Sequence, residues 1–360
     1  MPISTRYDTI VTQLTGQLPT LRPRLVAPLA SALVGMSQSV SAQQRAIAGA
    51  MPAKTKQQSK IQRLRRLLDN TKLTASDVYQ PIVRQALLGL KGQRVHLLLD
   101  RVVLTSSQNV LVVSVGFRRR SLPLVWHILP HQGSSGLAAQ QKLLREAAKL
   151  LPARVRIFVH ADSEFRSQQL FRWIRNRRWN AILGIRGNTP VTLDPACAGQ
   201  KLSSWLPDRE TVVYLNAVYL TEERCGPVNV LAWWDKDERG VLTCYAVMTN
   251  LAATWQTYRI GSRRMWIETM FRDWQSGGFE LGKSGISNAK RFARLLVLVC
   301  LVYLWFVSIG RWLVKRGYRT LLDAGTSNAW QQSLFTLAVA WQNHLRTFDQ
   351  PMRVFWFVYM

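Results

Sequence analysis

The order of strand-like and helix-like runs between residues 94 and 187 most constrains how this chain can fold. In chain order the runs are three strands at 94–104, 109–120 and 122–130, an amphipathic helix at 138–151, a strand at 154–162, a helix at 163–179 and a strand at 180–186. The short turns between the first three strands are typical of an antiparallel meander. Ser163 is the expected N-cap of the second helix, because a serine at that position can accept a backbone hydrogen bond.

Three antiparallel strands followed by parallel strands covered with helices make up the RNase H-like arrangement, so the predicted fold class is α/β with a mixed sheet. Runs such as 210–220 and 240–250 look like strands of a small sheet, which we interpret as a β-rich insertion with its own surface. The predicted segments are a helical, basic domain at 1–92, the RNase H-like core at 93–187 and 255–310, the insertion at 188–254 and a C-terminal helical region at 311–360.

Two aspartates stand at the ends of apolar runs that enter the predicted sheet. Asp100 closes the run Val-His-Leu-Leu-Leu, and Asp162 closes Arg-Ile-Phe-Val-His-Ala. Their strands are neighbours in the RNase H-like order, so we expect the two acids to meet at one edge of the sheet. A strand-end turn or a helix cap would account for either aspartate alone. Two close carboxylates repel each other, however, and a divalent cation would relieve that repulsion.

A third carboxylate is needed to complete such a site, and Glu268 is the best candidate. It lies within the helical run Arg-Arg-Met-Trp-Ile-Glu-Thr-Met-Phe-Arg-Asp-Trp, and an exposed position pairing with Arg264 or Arg272 is the alternative interpretation. Asp273 and Glu280 are weaker candidates. Ligands that are all oxygen suit Mg²⁺ or Mn²⁺, so we expect Asp100, Asp162 and Glu268 to hold that metal.

The charge of the chain indicates a polyanionic partner. Forty-eight Lys and Arg against 20 Asp and Glu give a net charge of +28, and such an excess repels itself unless a polyanion is present. Nucleic acid is the first candidate and an anionic membrane surface the second. The predicted phosphate-binding residues of the N-terminal region are Lys54, Lys56, Lys60, Arg63, Arg65 and Arg66.

One apolar run raises the alternative of a membrane-associated protein. Residues 295–307 are continuously apolar, but a span needs about 20 residues and shorter runs are typical of buried core helices. The N-terminus lacks the apolar core of a signal peptide. We therefore expect a buried helix, no membrane partner and a cytoplasmic, nucleoid-associated protein.

Residues 159–188 and 263–281, with the order of the elements around them, resemble the DDE transposases of bacterial insertion sequences. The branch resembled carries a β-strand insertion and a Tyr-Arg-Glu-Lys signature, and the resemblance covers about residues 94–310. It implies that Asp100, Asp162 and Glu268 are the three catalytic carboxylates. Arg264 takes the place of the signature arginine.

The resemblance implies a DNA transposase that cleaves the ends of an insertion sequence and joins them to target DNA, using two Mg²⁺ or Mn²⁺ ions. The implied partners are double-stranded DNA with terminal inverted repeats, target DNA and a second copy of the chain. Two residues depart from the signature, since Gly261 stands for its tyrosine and Gln275 for its lysine. Arg263, Arg272 or Lys283 would then hold phosphate in their place.

The sequence leaves other functions open. Trp233 or Trp234 could stack an unpaired base beside the cleaved end. An RNase H-like structure-specific nuclease would need the same three acids, and a catalytically inactive DNA-binding relative would keep the basic surface alone. Metal-dependent cleavage of a terminal repeat separates the enzyme from the inactive relative, whereas joining separates the transposase from the nuclease.

Overall fold

Helices make up most of the segment before the sheet. The computed structural model describes residues 3–221, 223–237, 239–319 and 332–347. The N-terminal helices are α1 (Ile3–Gln17), α2 (Pro23–Ser39), α3 (Gln44–Ala50), α4 (Gln57–Asp69) and α5 (Gln80–Leu87). Helix α4 buries Ile61, Leu64, Leu67 and Leu68. Because these residues recur at helical spacing, the basic side chains of α4 lie on its other face.

The strands of the described chain form one ten-stranded sheet. They are β1 (Arg94–Thr105), β2 (Gln108–Phe117), β3 (Arg120–Leu129), β4 (Arg156–Ala161), β5 (Asn180–Arg186), β6 (Pro190–Thr192), β7 (Gln200–Lys201), β8 (Val213–Leu220), β9 (Cys225–Lys236) and β10 (Leu242–Thr249). The spatial order begins β3-β2-β1-β4-β5. Strands β1 to β3 are antiparallel, whereas β4 is parallel to both β1 and β5. The predicted RNase H-like arrangement is confirmed.

The insertion extends this sheet and does not form a separate small one, so that part of the interpretation is wrong. Strand β10 pairs antiparallel with β5, and β9, β8, β6 and β7 follow in the same sheet. The pairing has a physical reason, because an uncovered β5 edge would leave unpaired backbone N–H and C=O groups.

Two helices cover this part of the sheet: α6 (Leu137–Ala148) packs on β2 and β3, and α7 (Gln168–Asn176) packs on β5. The expected N-cap at Ser163 is wrong. Ser163 begins a short 3₁₀ turn capped by Asp162, and the side chain of Ser167 caps α7 by accepting from the Leu170 N–H. The helix therefore starts later than predicted, because the chain first turns away from β4.

The remaining described helices are α8 (Trp255–Gly261), α9 (Trp266–Trp274), α10 (Ala289–Lys315) and α11 (Leu334–Thr347). Helix α10 contains the apolar run of residues 295–307. It is long and apolar enough to cross a membrane, yet 89% of its most apolar window is buried inside the protein. It packs against α2, α4, α11 and β3, which is the environment of a core helix, as expected from the sequence.

The predicted segments share one core. A single cluster of buried apolar side chains includes Leu33 of α2, Val113 of β2, Val230 of β9 and Phe335 of α11. Helix α10 also crosses the predicted boundary at residues 310–311. The division into five functional segments stays a prediction, and part of the C-terminal one lies outside the described residues.

Candidate active site

Asp100 and Asp162 lie side by side where two parallel strands stop pairing. The last pair of the ladder between β1 and β4 joins Leu99 to Ala161, and each aspartate is the next residue. The prediction that Asp100 ends its strand is wrong, because β1 continues to Thr105 in partnership with β2. Only its pairing with β4 ends there, and this brings the two acids to one edge.

Each aspartate has one oxygen fixed by the backbone. Oδ1 of Asp100 accepts from the N–H of Arg101 at 2.7 Å, and Oδ1 of Asp162 accepts from the N–H of Ser163 at 2.6 Å. The Oδ2 atoms face the Nη1 of Arg264, at 3.8 Å from Asp100 and 3.9 Å from Asp162. The two carboxylates are thus oriented toward one shared cation.

Glu268 approaches the same cation from α9. That helix packs on β1, β2 and β3 and buries Ile267, Met270, Phe271 and Trp274. Glu268 flanks this apolar stripe, and its Oε1 accepts from the Nη2 of Arg264 at 2.7 Å. The i,i+4 ion pair between Arg264 and Glu268, which was the alternative interpretation of Glu268, does form. The same guanidinium, however, also faces both aspartates, so the structure brings all three predicted acids together.

Burial and mutual repulsion make this cluster electrostatically costly. Burial raises the pKa of Asp100 to about 7, the backbone bond from Arg101 and the charge of Arg264 oppose the rise, and Asp162 and Glu268 add to it. Burial acts to lower the pKa of Arg264, yet the three carboxylates hold it above its usual value. The side chain of Arg264 is 21% exposed. A positive charge at this place therefore stabilises the cluster.

The carboxylate oxygens suit a hard divalent ion, but the three acids are spaced to surround the Arg264 guanidinium. Mg²⁺ needs oxygens at about 2.0–2.1 Å, whereas the carboxylate oxygens stand 2.7–3.9 Å from the nitrogens of Arg264. Within the described ranges no group of three His, Cys, Asp or Glu residues has metal-ligating spacing. Asp100, Asp162 and Glu268 would hold the metal, once Arg264 left the space between them.

The two weaker candidates for the third acid have other partners. Asp273 is buried on α9, lies 3.7 Å from Arg120 and accepts a hydrogen bond from the Tyr303 hydroxyl. Burial raises the pKa of Asp273 to about 6. Glu280 pairs with Lys283 and accepts from the Gln43 amide. Asp273 thus faces the core and Glu280 contacts Lys283 and Gln43, so neither belongs to the carboxylate cluster.

Sequence reasoning assigned no role to Glu164. Its two oxygens accept from Arg101 at 2.8 and 2.7 Å, and Arg101 also donates to Asn109 at 3.2 Å. A bidentate pair of this kind fixes geometry strongly. It ties the turn after Asp162 to the residue after Asp100. In the sequence, this pair could have been inferred from the opposite charges of Arg101 and Glu164, since each lies within two residues of a candidate catalytic aspartate.

A buried chain of His96, His160 and Arg263 lies behind the carboxylates and was also missed. The Arg263 guanidinium donates to His96 Nε2, and His96 Nδ1 lies 2.9 Å from His160 Nε2. Because Arg263 is always a donor, His96 carries its proton on Nδ1 and donates it to His160. Burial lowers the pKa of His96 to about 3 and that of His160 well below its usual value. Both rings are neutral at pH 7.

The basic residues predicted to bind DNA fall in two places. Around α4, all six apart from the half-buried Lys60 are exposed, and Lys60 donates to the Met51 carbonyl. At the carboxylate site, Arg263 contacts His96 and Arg264 contacts the three acids. Arg272 of α9 and Lys283, which pairs with Glu280, are exposed. DNA binding by these residues stays a prediction.

Trp233 and Trp234 point to opposite faces of β9. Trp233 lies 6.2 Å from Tyr245 and 5.0 Å from Tyr258, ring centre to ring centre. Trp234 packs against the main core. Base stacking by either tryptophan stays a prediction.

The two signature positions that depart from the resembled pattern lie at the ends of helices. Gly261 ends α8, and Gln275 caps the C-terminus of α9. Tyr258, the nearest tyrosine in sequence to Gly261, packs between Trp233 and Trp255. The tyrosine therefore belongs to the aromatic cluster, and what holds phosphate in place of the two missing side chains stays a prediction.

Comparisons with known proteins agree with this site. A family model described as the transposase DDE domain matches residues 116–305, a range that contains Asp162 and Glu268 and begins just after Asp100. No curated protein sequence matches the chain.

Two solved structures are similar in part. The synaptic complex of piggyBac transposase with hairpin DNA has a TM-score of 0.46 and 9% identity, over 97% of this chain and 80% of that one. The Argonaute of Marinitoga piezophila, in complex with guide RNA and target DNA, has a TM-score of 0.27 and 9% identity, over 62% and 33%. The family match spans more than half of the residues, and the chain therefore belongs to the DDE transposase family.

Proposed function

We propose that this protein cleaves the terminal inverted repeats of a bacterial insertion sequence and joins the freed ends to target DNA. The convergence of Asp100, Asp162 and Glu268 on one cationic group carries the proposal. Three acids far apart in sequence share a site that their own charges destabilise, which indicates a function that requires them.

The reaction is a phosphodiester hydrolysis followed by a transesterification. A water oxygen forms a bond to phosphorus, the bond from phosphorus to the 3′ oxygen breaks, and the element end keeps a free 3′-OH. That hydroxyl then attacks a target phosphodiester and releases a new 3′-OH. Divalent ions, when bound, supply a water nucleophile near neutral pH and polarise the reacting phosphate.

The residues of this chain have separate tasks in that scheme. Asp100, Asp162 and Glu268 would together hold the divalent ions. The N–H groups of Arg101 and Ser163 hold the aspartate Oδ1 atoms, so each carboxylate keeps a fixed orientation. The Glu164–Arg101 pair holds the turn after β4 against β1.

The proposed partners are duplex DNA, its terminal repeats and a second copy of the chain, which pairs the two ends. The exposed basic residues around α4 would contact phosphates, and their contribution falls as salt rises. Residues 1–92 are the proposed end-binding domain. The proposed location is the bacterial cytoplasm, at the nucleoid.

Cleavage of the flanking inverted repeat in the presence of Mg²⁺ tests the proposal. The parent protein is compared with Asp162→Ala, and with Asp77→Ala as a matched surface control. We expect cleavage by the parent and the control and none by Asp162→Ala. Retained cleavage in Asp162→Ala would overturn the role of this residue.

A structure-specific nuclease with the same three acids is the second candidate. It would cut DNA and would leave the released 3′ ends unjoined. Incubating a pre-cleaved terminal repeat with supercoiled plasmid distinguishes the two, because strand transfer yields a covalent joint product. Cleavage without any joint product would favour the nuclease.

A further inference from the structure

The guanidinium of Arg264 occupies the space between the three carboxylates. The guanidinium reaches Asp100, Asp162 and Glu268, at 3.8, 3.9 and 2.7 Å. A metal ion bound by these three acids needs the same space between them. Arg264 and the metal cannot both occupy it, since two cations this close in a half-buried site repel strongly.

We propose that Arg264 is a replaceable counter-ion, which holds the three carboxylates until a DNA phosphate draws it away and opens the site to divalent metal. This inference rests on the proposed function and adds how the site is regulated. A guanidinium forms bidentate hydrogen bonds with phosphate as readily as with carboxylate, so a backbone phosphate beside the acids offers an equivalent partner.

The neighbouring contacts explain how Arg264 can move without unfolding the site. The turn that carries it, residues 262–265, is anchored by Arg263, which bonds to His96 and lies 5.4 Å from the Trp266 ring. Trp266 in turn packs on Gly116, where an added Cβ would come within 3.0 Å of its ring. The backbone is therefore held, and a change of the Arg264 rotamer would not need to move it.

The consequence is reciprocal coupling between DNA and metal. If DNA raises metal affinity by removing Arg264 from the cluster, metal must raise DNA affinity by the same factor. The protein alone would then bind metal weakly, and metal-dependent hydrolysis would be confined to DNA that is correctly placed. Removing the guanidinium should abolish most of the coupling.

Binding of Mn²⁺ to the full-length protein, followed by the loss of its free-ion EPR signal, tests this directly. The variants are Arg264→Met, the control Arg145→Met at an exposed arginine of α6 and the double variant Arg264→Met/Asp100→Asn. Without DNA, we expect Arg264→Met to bind Mn²⁺ about tenfold more tightly than the parent. The control should resemble the parent, and the double variant should lose the gain. Equal or weaker binding by a folded Arg264→Met would overturn the inference.

A second measurement keeps the test valid if Arg264→Met fails to fold. A duplex carrying the terminal repeat is added to the parent, with Asp100→Asn plus the same duplex as the blank for Mn²⁺ held by DNA. We expect tighter Mn²⁺ binding by about tenfold, and an unchanged affinity would overturn the inference. Asp162-dependent cleavage with unchanged Mn²⁺ binding would leave the proposed function standing. The expected Mn²⁺ shifts without any cleavage would support the inference and contradict the proposed function.

Discussion

Gly184 of β5 lies against the backbone that follows Asp162. An added Cβ there would come within 2.6 Å of the Ser163 nitrogen and 3.0 Å of the Asp162 carbonyl carbon. The Ser163 N–H is the group that fixes Asp162 Oδ1. The absence of a side chain at Gly184 thus sets the position of a catalytic candidate on the neighbouring strand.

Gly184→Ala should therefore damage activity more than stability. Backbone atoms cannot give way easily, so we expect Asp162 to shift and cleavage to fall by about 100-fold, with a loss of stability of about 1–3 kcal/mol from overpacking. Cleavage rates and urea unfolding measure the two effects. Gly136→Ala is the control, since nothing lies within 4 Å of its added Cβ. Full activity in Gly184→Ala would contradict the proposed placement of Asp162.

Asp100→Asn should stabilise the metal-free protein in a pH-dependent way. The folded pKa of about 7 lies above the unfolded value of about 3.9, so the parent loses stability as pH rises from about 4 to about 7. The neutral amide avoids that loss. We expect little difference at pH 4 and a gain of up to about 4 kcal/mol at pH 8. Urea unfolding in EDTA measures it, with Asp77→Asn as the surface control. A gain that did not grow with pH would contradict the burial of an ionised Asp100.

Substitutions at Glu268 and Asp273 should have opposite effects, with one affecting cleavage and the other stability. Glu268→Gln is expected to remove cleavage and leave thermal stability nearly unchanged, because Glu268 lies beside the buried apolar stripe of α9 and not within it. Asp273→Ala is expected to cost about 3 kcal/mol, because Arg120 and the Tyr303 hydroxyl lose a buried partner. Cleavage per folded molecule, assayed well below the melting temperature, should persist in Asp273→Ala. The reverse pattern would make Asp273 the third catalytic acid.

Trp233 and Trp234 provide a matched pair on one strand. If Trp233 stacks a base, Trp233→Ala should slow cleavage per folded molecule by about tenfold, in addition to any loss of stability from its packing on a second buried cluster. Trp234→Ala should lower stability by about 3 kcal/mol, since this ring packs on the main core, and should leave the cleavage rate of folded protein close to the parent's. Cleavage rates and thermal unfolding test both. Equal cleavage by the parent and Trp233→Ala would remove the stacking hypothesis.

The sequence by itself determined the order of elements and the two aspartates. β-Branched runs, short turns and the period of each helix are local properties, so the arrangement from β1 to β5 could be predicted from them. Once that order is given, parallel pairing places Asp100 beside Asp162, because both follow the last paired residues of neighbouring strands. The buried helix α10 was predictable for the same reason, since length and composition sufficed.

Only the tertiary structure decided which charges meet. Glu268 and Asp273 are five residues apart on α9 and look alike in sequence, yet one reaches Arg264 and the other enters the core. The pairing of β10 with β5, the buried His96–His160 contact and the three-fold engagement of Arg264 also join residues far apart in the chain. Such contacts depend on how whole elements pack, and a one-dimensional pattern carries no information about the angle between a helix and a sheet.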